Sequence, residues 1–415
     1  MKFSLCKVGR GRKGSVLTEY SIMIVAALLA RVGLSVMAVG LVRSKHAAAT
    51  AGRAVVELCF AVLAYWAVGV AFTQLQKEGW GLFSFRPEMM VGLNDWAGAS
   101  SFMGLIAVVL AGGLITDTLA ERVRFWPTMA AASVLGAVTV PLTILWSIPW
   151  LSHRGGGAFG NFVHRGDFYL SLPLIAVAAF ALVGLRMIGG RLGKYRRDGS
   201  TALIPGHNLP LSFSGAMLAI GGLLSLAITI ASVDRVVPAI GLAGVVVSCI
   251  TQLKFGKPDI GLVVLGTLGA AVAIATTPMQ SGAPGWMWVL LGGTAGAVVT
   301  HFAYMFELRL KLDDPSGQLS ILGVGAAVGL VLGAPFASGA DHWYVRVIAS
   351  IIAVVVAIGW GGLTGWLTFT LLKKFTNLSA KEADVVDGLD LAEHDISAYP
   401  DFQQNTIRSF HMREA

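Results

Sequence analysis

Residues 166–210 read GDFYLSLPLIAVAAFALVGLRMIGGRLGKYRRDGSTALIPGHNLP, and residues 312–323 read LDDPSGQLSILG. In the first stretch an apolar run of membrane-helix length starts at Asp167 and stops in the basic loop Arg186–Arg197. Gly206-His207-Asn208-Leu209-Pro210 then opens the next apolar run. In the second stretch Asp313-Asp314-Pro315 stands at the head of another. Both put an aspartate at the start of an apolar helix, where a carboxylate caps free N–H groups and faces the positive end of the helix dipole. Asp167 and Asp314 are therefore read as structural caps, and His207 with Asn208 as the cap of the following helix.

The rest of the chain agrees with a membrane protein. Hydrophobic residues make up 55% of its 415 positions and charged residues only 13%, with a mean hydropathy of +0.72, which excludes an ordinary soluble domain. A bilayer core about 30 Å thick needs about 20 apolar residues per helix. Eleven spans meet that need: 19–42, 54–74, 98–117, 126–149, 168–185, 209–232, 236–252, 259–278, 285–306, 318–337 and 345–372. The organisation is a basic segment over 1–18, an all-α polytopic bundle over 19–372 and a tail over 373–415. Fifty-one glycines fit helices that pack closely in lipid.

Several function classes drop out. Cys6, Cys59 and Cys249 are scattered, with no metal spacing and an odd count that argues against a disulfide framework. No nucleotide-binding or zinc motif appears, no cofactor is implied, and a membrane enzyme would lack a nucleophile or metal cluster. The net charge of +8 sits in loops between spans, which does not suggest a nucleic-acid partner.

Those loops set an orientation. The odd loops and the tail hold most Lys and Arg, among them Arg43, Arg122, Arg191, Lys254, Arg309 and Lys373. The even loops hold Lys77, Arg86, Arg154, Arg165, Arg235 and Arg346. This puts the C-terminus in the cytoplasm and the N-terminus outside. The head of the chain, with Lys2, Lys7, Arg10, Arg12 and Lys13, runs against that rule, and a leader cut after Gly14 would remove the conflict while sparing span one.

The two stretches resemble the ammonium transporter (Amt/Rh/Mep) family, whose fifth span begins with an Asp-Phe-Ala-Gly-like run. In that family Pro-His-Asn-Leu-Pro follows in the next loop, and Asp-Asp-Pro precedes the tenth span. Gly40-Leu41-Val42-Arg43-Ser44-Lys45, Leu119-Ala120-Glu121-Arg122-Val123-Arg124-Phe125 and Gly388-Leu389-Asp390-Leu391-Ala392-Glu393-His394 with Ala398-Tyr399 are similar to further family words, in family order from about residue 25 to 402. The resemblance implies eleven transmembrane helices with an inverted five-helix repeat, a homotrimer in the inner membrane, and ammonium, ammonia or another small neutral molecule as cargo. It also implies a tail that folds across neighbouring subunits, sometimes with a trimeric nitrogen-regulatory partner.

The pore positions are where this chain departs. Eight residues from Asp167 is Ile175, about 12 Å deeper at 1.5 Å per residue. Eight residues from Asp314 is Leu322, at similar depth from the other face, as two inverted halves meeting at the midplane require. The resemblance places a hydrogen-bonded histidine pair there. Imidazole can accept and pass a proton near neutral pH, and aliphatic groups cannot. The family's outer pair of phenylalanines falls on Met103 and Ala107, with Phe102 one residue out of step, and span six carries Leu224 and Leu226 where aromatic residues are usual. Trp146 or Trp150 matches the family's outer tryptophan, which holds a cation by its ring face; interface anchoring is the other reading. Arg31, mid-span, either pairs with a carboxylate such as Glu57, snorkels, or faces the pore and repels cations. Two functions follow: a divergent ammonium/ammonia channel with altered, non-electrogenic conduction, or a non-conducting sensing or regulatory membrane protein.

Overall fold

The computed structural model describes residues 10–73, 85–87, 90, 99–147, 170–196, 200–277, 285–336 and 342–400. Asp167 and Trp150, with Trp80, Phe83 and Trp96 of the second loop, lie outside them. Among the described residues ten helical segments are long and apolar enough to cross a membrane. We number them with the shorter apolar helix Ile260–Ala275 as α1 (Tyr20–Leu41), α2 (Ser44–Phe72), α3 (Ser100–Thr118), α4 (Phe125–Ser147), α5 (Ser171–Ile188), α6 (Leu209–Thr229), α7 (Val233–Phe255), α8 (Ile260–Ala275), α9 (Val289–Arg309), α10 (Leu319–Phe336) and α11 (Trp343–Phe375). Two short helices, α12 (Glu382–Asp387) and α13 (Leu389–His394), form the tail. The helix carrying α1 is continuous from Arg10, the first described residue, and so runs through part of the basic segment, where residues 10–19 contain no proline to stop it.

Local chemistry sets the boundaries. Asn208 caps α6 by accepting from the Leu211 N–H at 3.0 Å, with Pro210 in the first turn, where its missing N–H costs nothing. Asp259 caps α8 in the same way, from Leu262 N at 3.2 Å. Gly189 (φ 92°) and Gly256 (φ 73°) end α5 and α7 in backbone conformations that side chains disfavour. Among the described residues β-pairing is limited to isolated bridges, Val123–Ser379 and Tyr195–Thr201.

Helix contacts repeat with a shift of five. α1 packs on α3 as α6 packs on α8, α2 on α3 as α7 on α8, α2 on α4 as α7 on α9, and α3 on α5 as α8 on α10. The related helices α1 and α6 form the most extensive contact of the bundle, and α5 meets α10. This is the inverted five-helix repeat. α11 lies outside it and straps along α5, with Gly361 and Gly365 against the backbone of Ala176 and Phe180.

Small residues make the α1–α6 contact possible. A Cβ on Gly33 would run into the Ala219 backbone, one on Gly215 into Met37 N, and one on Gly222 into Ala30 N. In lipid, helices associate through such close approach rather than through the hydrophobic effect. Gly33→Val should therefore lower the melting temperature of the purified protein in detergent by an amount corresponding to at least the roughly 1–3 kcal/mol of core overpacking. Gly221→Val, at a position with nothing within 4 Å of the added atom, should leave it unchanged.

Candidate functional site

α5 and α10 start from one charged base. Glu121 and Arg122 follow α3, Arg191 follows α5, and Asp313 and Asp314 precede α10. The Asp313 carboxylate accepts from Arg191 three times, from the backbone N–H at 2.8 Å, from Nε at 3.0 Å and from Nη2 at 3.1 Å. Arg122 donates to the Asp313 carbonyl at 2.7 Å and has its Nη1 3.9 Å from the carboxylate. Burial alone would push the Asp313 carboxyl up, but Arg191 and Arg122 outweigh it and hold it below the usual aspartate range. Burial pulls the Arg122 guanidinium down to about 10, which leaves it charged at neutral pH. Glu121, held at φ 67°, accepts from the Arg43 N–H at 2.9 Å and stands 3.5 Å from Arg191 Nη1. Asp314 accepts from Ser316 N at 3.1 Å and Leu319 N at 2.9 Å, so its carboxylate meets the free N–H groups of the first turn of α10.

Above this base the two expected pore positions are buried and apolar. Ile175 on α5 is 3% exposed and Leu322 on α10 is 0% exposed, and both belong to one continuous apolar cluster. Leu322 sits in a π-helical stretch, Leu319–Val324, whose wider turn brings Gly323 against Ala178 of α5. Gly325 and Gly329 bring the same helix onto the backbone of Gly269 and Ala273 in α8. No donor or acceptor side chain is presented at 175 or 322, so neither position can hold an ammonium ion or relay its proton.

The outer positions are arranged as follows. Ala107 is fully buried on α3 and carries no ring. Met103 is half-buried against the apolar cluster. Phe102 stacks on Tyr20 of α1, ring centroids 5.2 Å apart and nearly parallel. Leu226 is buried and Leu224 half-buried in α6. Trp146 is half-buried, edge-on to Trp360 of α11 at 5.5 Å, and Trp360 Nε1 donates to the Thr139 carbonyl at 3.1 Å.

Arg31 is 2% exposed and turned inward. It pairs with Glu57 of α2, stands 3.4 Å from Asp117 of α3, and donates to Ser35 Oγ at 2.5 Å and the Ala54 carbonyl at 3.2 Å. Gln318, just before α10, donates to Asp117 at 2.8 Å and to the Leu34 carbonyl at 3.1 Å. The pairing of Arg31 with Glu57 is one of the sequence readings. Asp117 and Gln318 were not singled out, since Asp117 reads as a helix-end charge and Gln318 as a loop amide. A mid-span arginine demands its counter-charges, and Asp117 was the other carboxylate within reach of α1.

The tail is docked on the same end. Asp390 accepts from Ala48 N at 3.1 Å and Ala49 N at 2.7 Å, capping α2 from α13. Arg53 of α2 pairs with Glu393, the Leu389 N–H donates to His46 Nδ1 at 3.1 Å, and Ala380 N donates to the Arg122 carbonyl at 2.9 Å. His207 Nδ1 donates to the Val42 carbonyl at 2.9 Å, and its ring meets Tyr399 of the tail.

Comparison with known proteins gives one answer. The model of the Ammonium Transporter Family matches residues 20–399. Ammonium transporter Amt2 of Archaeoglobus fulgidus is 29% identical, over 89% of this chain and 85% of that protein. Among solved structures, one titled Sensor Amt Protein superposes with a TM-score of 0.80 at 24% identity, over 90% of this chain and 98% of that one. Mep2 of Saccharomyces cerevisiae superposes with a TM-score of 0.72 at 15% identity, over 88% and 87%.

Two measurements probe the charged groups. Arg31→Ala leaves Glu57 and Asp117 buried without a cation, and should cost about 3–5 kcal/mol of stability, read as a large fall in melting temperature. Asp313→Asn should cost stability in a pH-dependent way. Because the folded Asp313 carboxyl lies below its unfolded value of about 3.9, its contribution is full above that pH and is lost as the pH falls through the folded value. The gap in melting temperature between wild type and Asp313→Asn should be widest at neutral pH and should close below about pH 4.

Proposed function

The chain belongs to the ammonium transporter family, and we propose that it is a divergent member that carries no electrogenic ammonium current. It is a multi-pass membrane protein, and ammonium or ammonia is the substrate its family implies. The observation that carries the reading is the buried pair Ile175 and Leu322 at the centre of the apolar cluster. Placing an ammonium ion in hydrocarbon without partners costs several kcal/mol or more, so an ion must shed its proton to cross, and these side chains cannot take it. What passes the midplane is a neutral molecule, ammonia or another small one.

The membrane is the inner membrane, with the N-terminus outside and the tail in the cytoplasm. The clustering of Arg43, Arg122, Arg124 and Arg191 on the tail's end of the bundle supports this orientation. The assembly is a homotrimer. The apolar outer faces of α1 (Val25, Leu29) and α6–α7 (Met217, Val245) fit either lipid or a second copy. The docked tail is the surface for a nitrogen-regulatory partner.

A second reading, a non-conducting sensor, is favoured by the tail itself. Asp390 and Glu393 hold it on α2, so a change in α2 reaches the surface through one buried and one part-buried contact.

Proteoliposomes on a solid-supported membrane separate these readings. After an ammonium jump the unmodified protein should give a current no larger than empty liposomes. A saturable current from it would sink the proposal. Current appearing in Ile175→His/Leu322→His would mean an intact route closed to ions only at its midplane. Silence in the double variant as well would favour the sensor.

A further inference from the structure

Arg31, Glu57 and Asp117 form a buried group that the midplane chemistry does not use. Their side chains are 3%, 0% and 0% exposed. One guanidinium (+1) and two carboxylates (−2) sum to −1 when all are ionised. Among the described residues the groups that face them bring no second cation. α1 supplies Ser35, the segment before α10 supplies Gln318, and the nearest further charge on Asp117 is another acid, Asp314. The neighbouring arginines are committed elsewhere, Arg53 to Glu393 and Arg122 to the Asp313 base. An uncompensated charge at this depth is costly, and the cheapest remedy for a carboxylate is to take a proton.

Two oxygens are vacant for it. Glu57 Oε1 and Asp117 Oδ1 are buried and have no hydrogen-bond partner, while the second oxygen of each is engaged by Arg31. The backbone of α3 packs closely on Glu57 and Arg31. A Cβ on Gly112 would stand 2.7 Å from Glu57 Oε1, and one on Gly113 would run into the Arg31 guanidinium.

We propose that Glu57 and Asp117 hold one proton between them against the fixed charge of Arg31, making an intramembrane acid–base site distinct from the pore midplane. On binding, one carboxylate oxygen gains H+ and the group goes from −1 to neutral; on release the proton returns to water. The site also reaches α10. Gln318 Nε2 donates to Asp117 Oδ2 at 2.8 Å and directly precedes the π-helical turn that carries Leu322. A hydrogen bond to an ionised carboxylate is about twice as strong as one to a neutral acid, so proton occupancy sets how firmly the first turn of α10 is held. The proposal does not depend on whether the midplane conducts.

The test is infrared spectroscopy of the full chain in lipid at neutral pH, in H2O and D2O. The protein should show a protonated-carboxyl band that shifts in D2O. Glu57→Gln and Asp117→Asn should each abolish that component, because either leaves one carboxylate balanced by Arg31. Arg31→Met should double it, and Glu307→Gln, which removes a different buried acid, should leave it in place. A wild-type spectrum without that component overturns the proposal, as does a spectrum that neither single substitution changes. If a variant does not fold, the unmodified chain is treated with a hydrophobic carbodiimide, which modifies protonated carboxyls, and mapped by peptide mass spectrometry. An adduct on Glu57 or Asp117 supports the site, and adducts on neither overturn it.

Discussion

The bundle depends on the Asp313 carboxylate, which accepts three hydrogen bonds from Arg191. Arg191 comes from the loop after α5 and Asp313 from the turn before α10, so this contact fixes the two helices that meet at the midplane. Arg122 and Glu121 bring in the end of α3, and Arg43 brings in the end of α1. Charge-assisted, multiply hydrogen-bonded pairs are short-ranged and directional, which makes them suited to setting registry between helix ends. The apolar surfaces above cannot do this, because Leu, Ile and Val faces slide over one another at little cost. Here the ends set the helices and the small residues decide how near they come.

That division explains the midplane. Once α5 and α10 are held at the base and drawn together by Gly323 against Ala178, the residues at 175 and 322 fill whatever space is left. Isoleucine and leucine fill it with carbon, and both belong to the one apolar cluster. The fold does not require polar chemistry at those positions. A frame can therefore be retained while the chemistry at its centre changes, since function resides in the site and not in the architecture.

Much of this was legible in the sequence. The eleven spans could be counted because a membrane helix must satisfy its own backbone and be apolar over about 20 residues, a strong and local signal. Asn208 could be read as a cap from its place before an apolar run with proline in its first turn. Equal spacing from Asp167 and Asp314 picked out 175 and 322. The partners of Arg31 were only half legible. Glu57 was nameable as a carboxylate near the start of the expected span 54–74, but Asp117 lies two residues before Leu119-Ala120-Glu121-Arg122 and looks like part of that loop. Gln318 is four residues before Leu322, and only the folded chain shows its amide reaching back to α1 and α3. Long-range polar contacts carry no periodicity, so sequence pattern cannot show them. The first span was legible from 19 because charge marks a membrane boundary, although the helix itself continues past that boundary on its N-terminal side.

The buried arginine and the aliphatic midplane are best considered together. A bundle that admits ions through its centre needs polar groups there; a bundle closed at the centre does not. In this chain a buried charge lies in the space between α1, α2 and α3, where Arg31 meets two carboxylates. Buried ion pairs seldom add stability over an apolar packing of the same shape, so their presence in lipid calls for a reason beyond holding helices together. Gln318 supplies a physical link, since it joins that charge to the first turn of α10. Through Gln318 the polar contacts around Arg31 reach the helix that carries Leu322.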